Sequence, residues 1–171
     1  MTAITGSKWA GVEGRGKLVA LARMMTAIAK TALETSGEIA PVVAVGMASG
    51  EVGLVVVEWR DGDKRATYAA LAKMARDKLH MEAAVLVNDA WIAKLPKTTD
   101  PALFEGSVRD VPGHVEALVV TVLGPDLRES RCTPYERVAG KIKWHDETVS
   151  TEFENALFSL TDEGSDACSI G

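Results

Sequence analysis

The fold class is decided by residues 41–60, which read PVVAVGMASGEVGLVVVEWR. Two runs of mainly β-branched residues flank residues 48–51, ASGE, which have the composition of a turn. Two such runs around a turn predict a β-hairpin with strands at 42–47 and 52–60. Residues 54–57 are apolar at odd and even positions alike, so we expect the second strand to be covered on both faces.

Helical patterns lie on either side of this hairpin. Residues 17–35 carry apolar side chains at steps of three and four, and Ser36 and Gly37 supply a C-terminal stop. Residues 64–80 follow a turn at 61–63 and show the same period. The first helix is expected to bury one stripe, formed by Leu18, Leu21, Met25, Ile28 and Ala32.

The second half of the chain is rich in strand patterns. Residues 83–87 predict a third strand that can extend to 92, and residues 115–123 predict a fourth. Residues 127–136 are polar and indicate a loop, whereas residues 137–145 alternate as a half-exposed strand does. The order α-β-β-α-β-β-β predicts an α+β fold. We expect a mainly antiparallel sheet of about five strands with the two long helices packed on one face.

The domain boundaries follow from the same patterns. Residues 1–14 contain several glycines without periodicity and are interpreted as a flexible arm, on which Trp9 is expected to dock onto something. Residues 15–160 are predicted to form a single domain. Residues 161–171 are small and acidic and are predicted to be a disordered tail.

Composition excludes several classes of protein. The chain has 171 residues, 25% of them charged, and a net charge of −5, which is typical of a globular domain and not of a disordered one. An acidic chain makes nucleic acid an improbable partner. No apolar run approaches the ~20 residues that span a bilayer, so no membrane association is expected. Residues 1–9 have no apolar run, so no secretory signal is expected there. Cys132 and Cys168 form no motif, which favours free thiols in the cytoplasm.

Residues 11–18, GVEGRGKL, fit the G-x-x-x-x-G-K pattern of a phosphate-binding loop. The pattern is incomplete, because no strand precedes it and Leu18 stands where a magnesium-binding hydroxyl belongs. A weaker possibility is that Arg15, Gly16 and Lys17 bind an anion at the start of the first helix. The alternative is a glycine-rich hinge before that helix.

The sequence contains no complete match to the other catalytic motifs considered below. His114 and Glu116 match the H-x-E of zinc deaminases, but Cys132 has no second cysteine at the required spacing. The three histidines have no metal-ligand spacing, and no G-x-S-x-G elbow occurs. We therefore expect no catalytic residue, no metal and no cofactor.

Six polar or aromatic residues nevertheless lie near the ends of predicted neighbouring strands and beside the long segment 94–114. They are predicted to be either a small-ligand site or an ion-pair network that anchors this segment. The set comprises Asp89, Trp91, Glu116, Arg128, Arg131 and Arg137.

Residues 84–91, AVLVNDAW, and 113–120, GHVEALVV, resemble a group of small uncharacterised bacterial and phage proteins. The shared pattern is an Ala-Trp pair that ends one strand and an EALVV run that forms the next. The resemblance covers residues 64–144. It implies a strand-loop-strand core and assigns no role to any residue.

Two functions remain open. The first is a non-enzymatic accessory protein of bacterial or phage origin that self-associates, as a homodimer by default, or binds a protein partner. The second is a small-ligand or nucleotide-binding enzyme or sensor that uses the segment 94–114. Trp59, Trp91 and Trp144 end predicted strands, and we expect them to cluster at one sheet edge where Trp9 could cap them.

Overall fold

A computed structural model describes residues 6–58, 64–93 and 108–151, and these residues form an α+β fold, as predicted. Within these ranges, seven strands form one antiparallel sheet in the order β2-β1-β3-β4-β5-β6, with β7 also paired to β5. The elements are α1 (Gly11–Ser36), β1 (Val42–Met47), β2 (Val52–Val56), α2 (Lys64–Leu79), β3 (Met81–Ile92), a 3₁₀ turn (Val108–Asp110), β4 (Val115–Leu123), β5 (Arg128–Val138), β6 (Lys141–Trp144) and β7 (Thr148–Ser150).

The two helices cover opposite faces of this sheet, and the prediction that both pack on one face is wrong. Val85 and Val87 belong to the cluster that α1 buries, whereas Leu86 belongs to the cluster that α2 buries. Neighbouring residues of a strand point to opposite faces. Because β1 and β3 are apolar at both parities, each face needs a helix to cover it. We call the two sides the α1 face and the α2 face.

The sheet also has more strands than the predicted five. Residues 128–138, most of which were predicted to be a loop, form β5 and pair with β4 along their length. Ala139 and Gly140 both have positive φ, at 48° and 74°, and they turn the chain back into β6. The alternating pattern at 137–145 therefore spans a hairpin turn and is not one strand.

Within residues 6–14, Trp9 is buried against the sheet, and helix α1 already begins at Gly11. Trp9 is 2% exposed, and its indole Nε1 donates a hydrogen bond to the Met47 carbonyl at 2.8 Å. Gly46 leaves the space that the indole fills, since a Cβ there would lie 2.6 Å from the ring. Trp9 thus docks, as expected, and its site is this chain's own β1. Residues 1–5 and the predicted tail 161–171 lie outside the described residues.

Helix α1 buries a different stripe from the one predicted. Gly37 ends the helix at φ 81°, as expected, but Ile28 is 62% exposed. The buried positions include Ala22 and Ala29, whose small side chains let the helix approach the sheet closely. The full buried stripe is Gly14, Leu18, Ala22, Met25, Ala29 and Leu33.

Strand β2 is not covered on both faces, so that prediction is also wrong. Among the described strands it lies at the edge of the sheet, whereas α1 contacts β3, β4 and β6. On the α1 face, Val52 is 44%, Leu54 66% and Val56 58% exposed. Val57, just after the strand, projects to the other face and is buried in the α2 cluster.

Candidate functional site

A row of large side chains crosses the α1 face where β3, β4, β5 and β6 lie side by side. Trp91 is paired with Glu116, Glu116 with Tyr135, and Tyr135 with Trp144. Directly paired residues of antiparallel strands project to the same face. The row brings an acid and a phenol together beneath the C-terminal half of α1.

Four polar side chains at this row form a connected network. The Tyr135 hydroxyl donates a hydrogen bond to Asp89 Oδ1 at 2.7 Å. Arg137 Nε donates to Glu116 Oε2 at 2.9 Å, and Arg137 Nη2 lies 3.3 Å from Glu116 Oε1 and 3.4 Å from the Tyr135 hydroxyl. Two acids, one phenol and one guanidinium therefore satisfy one another.

Burial sets the protonation behaviour of this network. It raises the pKa of Asp89 above its ordinary 3.8, while the hydrogen bond from Tyr135 acts in the opposite direction. Burial also raises the pKa of Tyr135, and the neighbouring Asp89 raises it further. The phenol is thus held as a neutral donor. The network joins β3, β4 and β5 through side chains of all three strands.

Aromatic contacts attach α1 to the same row. Trp144 packs edge-on against Tyr135 with 5.2 Å between the ring centroids, and its Nε1 donates to Glu34 Oε1 at 2.7 Å. Lys30 Nζ lies 5.0 Å from the Trp144 ring centroid. One flank of α1, which carries Lys30 and Glu34, therefore faces β6.

Trp91 anchors the segment that leads into β4. The Arg109 guanidinium lies 4.9 Å from the Trp91 ring, and His114 packs edge-on at 5.1 Å. His114 Nδ1 lies 2.9 Å from the Val111 carbonyl oxygen. These contacts are those of a structural anchor for residues 108–114. Residues 94–107 of the long segment lie outside the described residues.

The remaining predicted site residues lie elsewhere. Arg131 contacts Glu129 at 2.8 Å and Glu147 at 3.4 Å, several residues along β5 from Arg137. Arg128 is the first residue of β5 and pairs with Leu123, at the other end of the β4–β5 ladder from Glu116 and Tyr135. The structure thus unites Asp89, Glu116 and Arg137 and places Trp91 beside them. It adds Tyr135, which sequence reasoning missed because its segment was interpreted as a loop.

The residues of the predicted anion site do not lie at the N-terminus of α1. Arg15, Gly16 and Lys17 lie inside α1, which begins at Gly11, and Lys17 Nζ is 3.9 Å from Glu13. The backbone N–H of Gly11 donates to Asp126 Oδ2 at 2.6 Å. A carboxylate of this chain thus occupies a helix N-terminus where an external anion would bind.

Cys132 is a free, half-buried thiol, and burial raises its pKa, which disfavours the reactive thiolate.

Within residues 6–58, 64–93 and 108–151, no group of three or more His, Cys, Asp or Glu side chains is arranged to hold a metal ion. In the same ranges, neither helix has the length and apolarity needed to cross a membrane.

The predicted tryptophan cluster is only partly present. Trp91 and Trp144 share the polar row, separated by Glu116 and Tyr135. Trp9 packs on Gly46, whose partner on β3 is Ala83, at the opposite end of that strand from Trp91. Trp59 lies outside the described residues.

Exposed apolar side chains lie on β2 and on one flank of α1. Lys30 faces β6, and Ile28 lies on the opposite flank of the buried α1 stripe, the flank that faces away from β6. Met24 is one turn before Ile28 and is 53% exposed. We define the α1/β2 surface as the exposed side chains of Met24, Ile28, Val52, Leu54 and Val56.

In comparisons with known proteins, no family model, no curated protein and no solved structure matches the chain.

Proposed function

We propose that this chain is a non-enzymatic protein that self-associates through the α1/β2 surface. The observation that carries the proposal is the set of large apolar side chains, all more than two-fifths exposed, on the edge strand β2 and on the flank of α1 that faces away from β6. Large exposed apolar patches are uncommon on monomeric proteins and mark interaction sites.

The edge of β2 supports the same proposal. Exposed edge strands are normally protected by charged residues or proline, and β6 at the other edge carries exposed Lys141 and Lys143. Residues 52–57 carry neither a charge nor a proline. An unprotected edge beside apolar side chains is a feature of a surface that another strand covers.

The polar network at Asp89 gives less support to the alternative, a small-ligand or nucleotide-binding enzyme or sensor. Its acids are already bonded to Tyr135 and Arg137, so a ligand would have to replace these contacts. No described contact favours that alternative over a structural network.

We also propose a cytoplasmic location in a bacterial or phage-infected cell. The free thiol of Cys132 supports a reducing compartment.

Multi-angle light scattering over a range of concentrations tests self-association. The expected molar mass rises with concentration from the 18.2 kDa of one chain toward a multiple of it. Val56→Lys is expected to shift the equilibrium to the monomer, because it places a charge within the α1/β2 surface. Val12→Lys is the matched control, since Val12 is 93% exposed on α1 outside this surface. A wild-type protein that stays monomeric at every concentration would refute the proposal.

A further inference from the structure

We infer that the partner is a second copy of this chain whose β2 pairs antiparallel with β2, with Leu54 on the two-fold axis. This inference rests on the proposed self-association and specifies its geometry. The two sheets would then join into one continuous sheet across the interface, with the α1 helices on the same side.

The backbone determines which residues of β2 face the open edge. The Met47 N–H donates to the Glu51 carbonyl at 2.9 Å, and the Val57 N–H donates to the Pro41 carbonyl at 2.8 Å. In an antiparallel pair, alternate residues direct both backbone groups to the same neighbour. Odd-numbered residues of β2 are therefore bonded to β1, and even-numbered residues direct their N–H and C=O groups to the open edge.

These open groups define a self-complementary register. Val52, Leu54 and Val56 direct their backbone groups away from β1, to the edge where no described strand pairs with β2. A two-fold axis at Leu54 pairs Leu54 with Leu54 of the partner subunit, and Val52 with Val56 of the partner subunit. Each open N–H then meets an open C=O, as a closed isologous interface requires.

The side chains agree with this register. The residues with open backbone groups are the same ones that project, exposed, from the α1 face. Pairing β2 with its copy would therefore cover the backbone edge and the α1/β2 surface in one step. It also accounts for the apolar character of residues 54–57 at both parities, because α2 covers the odd positions and the second copy would cover the even ones.

Charge complementarity supports the same register at the ends of the strand. Glu58, two residues beyond the end of β2, is exposed, and the register brings it toward the turn at residues 48–51 of the partner subunit. Within each chain, Lys8 packs its stem over Gly50, and its Nζ donates to the Ser49 carbonyl at 2.9 Å. Each copy thus brings a carboxylate to the ammonium group of the other.

Cysteine cross-linking in full-length protein tests the register. The background variant is Cys132→Ser with Cys168→Ser, which removes the native thiols. Hydrogen-bonded antiparallel pairs have a Cα–Cα distance of about 5.5 Å, within reach of a disulfide. Leu54→Cys is expected to form a covalent dimer on mild oxidation. Val52→Cys and Val56→Cys are each expected to remain uncross-linked alone and to form a mixed dimer when combined.

A charge swap tests the strand ends by an independent route. Lys8→Glu and Glu58→Lys are each expected to raise the dimer Kd by about threefold to tenfold, since each places like charges together. The double variant restores opposite charges and is expected to recover most of the wild-type affinity. Loss of binding that the double variant does not recover would overturn the pairing of Lys8 with Glu58.

The outcomes separate this inference from the proposed function. A dimer by light scattering in which Leu54→Cys fails to cross-link, or in which Val52→Cys cross-links with itself, would overturn the register and leave self-association standing. A monomer in every experiment would overturn both. Cross-linking of Leu54→Cys together with the mixed Val52→Cys and Val56→Cys dimer would support both.

Discussion

Replacing Tyr135 with Phe removes one hydroxyl from the polar network and leaves the ring packing in place. Tyr135 is 1% exposed, and its hydroxyl donates to Asp89 Oδ1 at 2.7 Å. Trp144 can keep its edge-on contact with the phenylalanine ring. The variant therefore reports chiefly on the hydrogen bond to a half-buried carboxylate.

The expected cost follows from the charge of the acceptor. A hydrogen bond to an ionised group contributes about 1.5–3 kcal/mol, and an acceptor that keeps some access to water belongs at the lower end of that range. We expect Tyr135→Phe to lower the free energy of unfolding at pH 7 by about 2 kcal/mol. For a chain of this length, that corresponds to a fall in Tm of about 4–8 °C.

Urea unfolding of a double-mutant cycle measures this contribution. The single variants are Tyr135→Phe and Asp89→Ala, and the double variant carries both changes. Because one hydrogen bond is lost in each case, the double variant should lose less stability than the sum of the single losses, by about 1–2 kcal/mol. Additive losses would show that the two side chains do not interact and would refute the network as a link between β3 and β5.

Three further predictions concern stability. Trp9→Ala empties the space above Gly46 and should lower the free energy of unfolding by about 3–5 kcal/mol in urea titrations. Asp126→Ala removes the acceptor for the Gly11 N–H and should cost about 1 kcal/mol, read as a lower Tm by calorimetry. The raised pKa of Asp89 means that its favourable contribution is complete below pH 3.8 and is lost as pH rises through the folded-state value. Asp89→Asn, which mimics the protonated acid, should therefore gain stability relative to wild type as pH rises through that interval, measured by denaturation at several pH values. Unchanged stability in Trp9→Ala or Asp126→Ala, or a flat difference for Asp89→Asn, would contradict the corresponding contact.

The elements that could be predicted are those with a clear apolar period. Both helices, the β1–β2 hairpin, β3 and β4 follow directly from such patterns. Strand β5 does not, because most of its residues are polar and it is held by pairing to β4 on one side and β6 and β7 on the other. Local sequence carries little information about such long-range pairing.

The placement of the helices was harder to predict than their existence. Periodicity identified α1 but put Ile28 in its buried stripe, whereas the structure buries Ala29 and Leu33. The smaller alanine side chains allow closer approach to the sheet, and this advantage appears only once the sheet is formed. The same lack of tertiary information led to the prediction that both helices share one face.

The candidate site was partly predictable. Asp89, Glu116 and Arg137 were recognised because charged residues near the ends of neighbouring strands converge. Tyr135, which links Asp89 to Arg137, had no such signal, since its own segment has the polar composition of a loop. The α1/β2 surface was hidden for a related reason, because a run that is apolar at both parities predicts burial within one chain.

Amide hydrogen exchange along β2 tests the central claim most directly. The Leu54 N–H faces the open edge in a single chain, whereas the Val55 N–H is directed toward β1. At concentrations where light scattering shows a dimer, we predict slow exchange at both amides. On dilution to the monomer, Leu54 should exchange rapidly while Val55 stays protected. Rapid exchange of Leu54 at every concentration would contradict the pairing of β2 with a second copy.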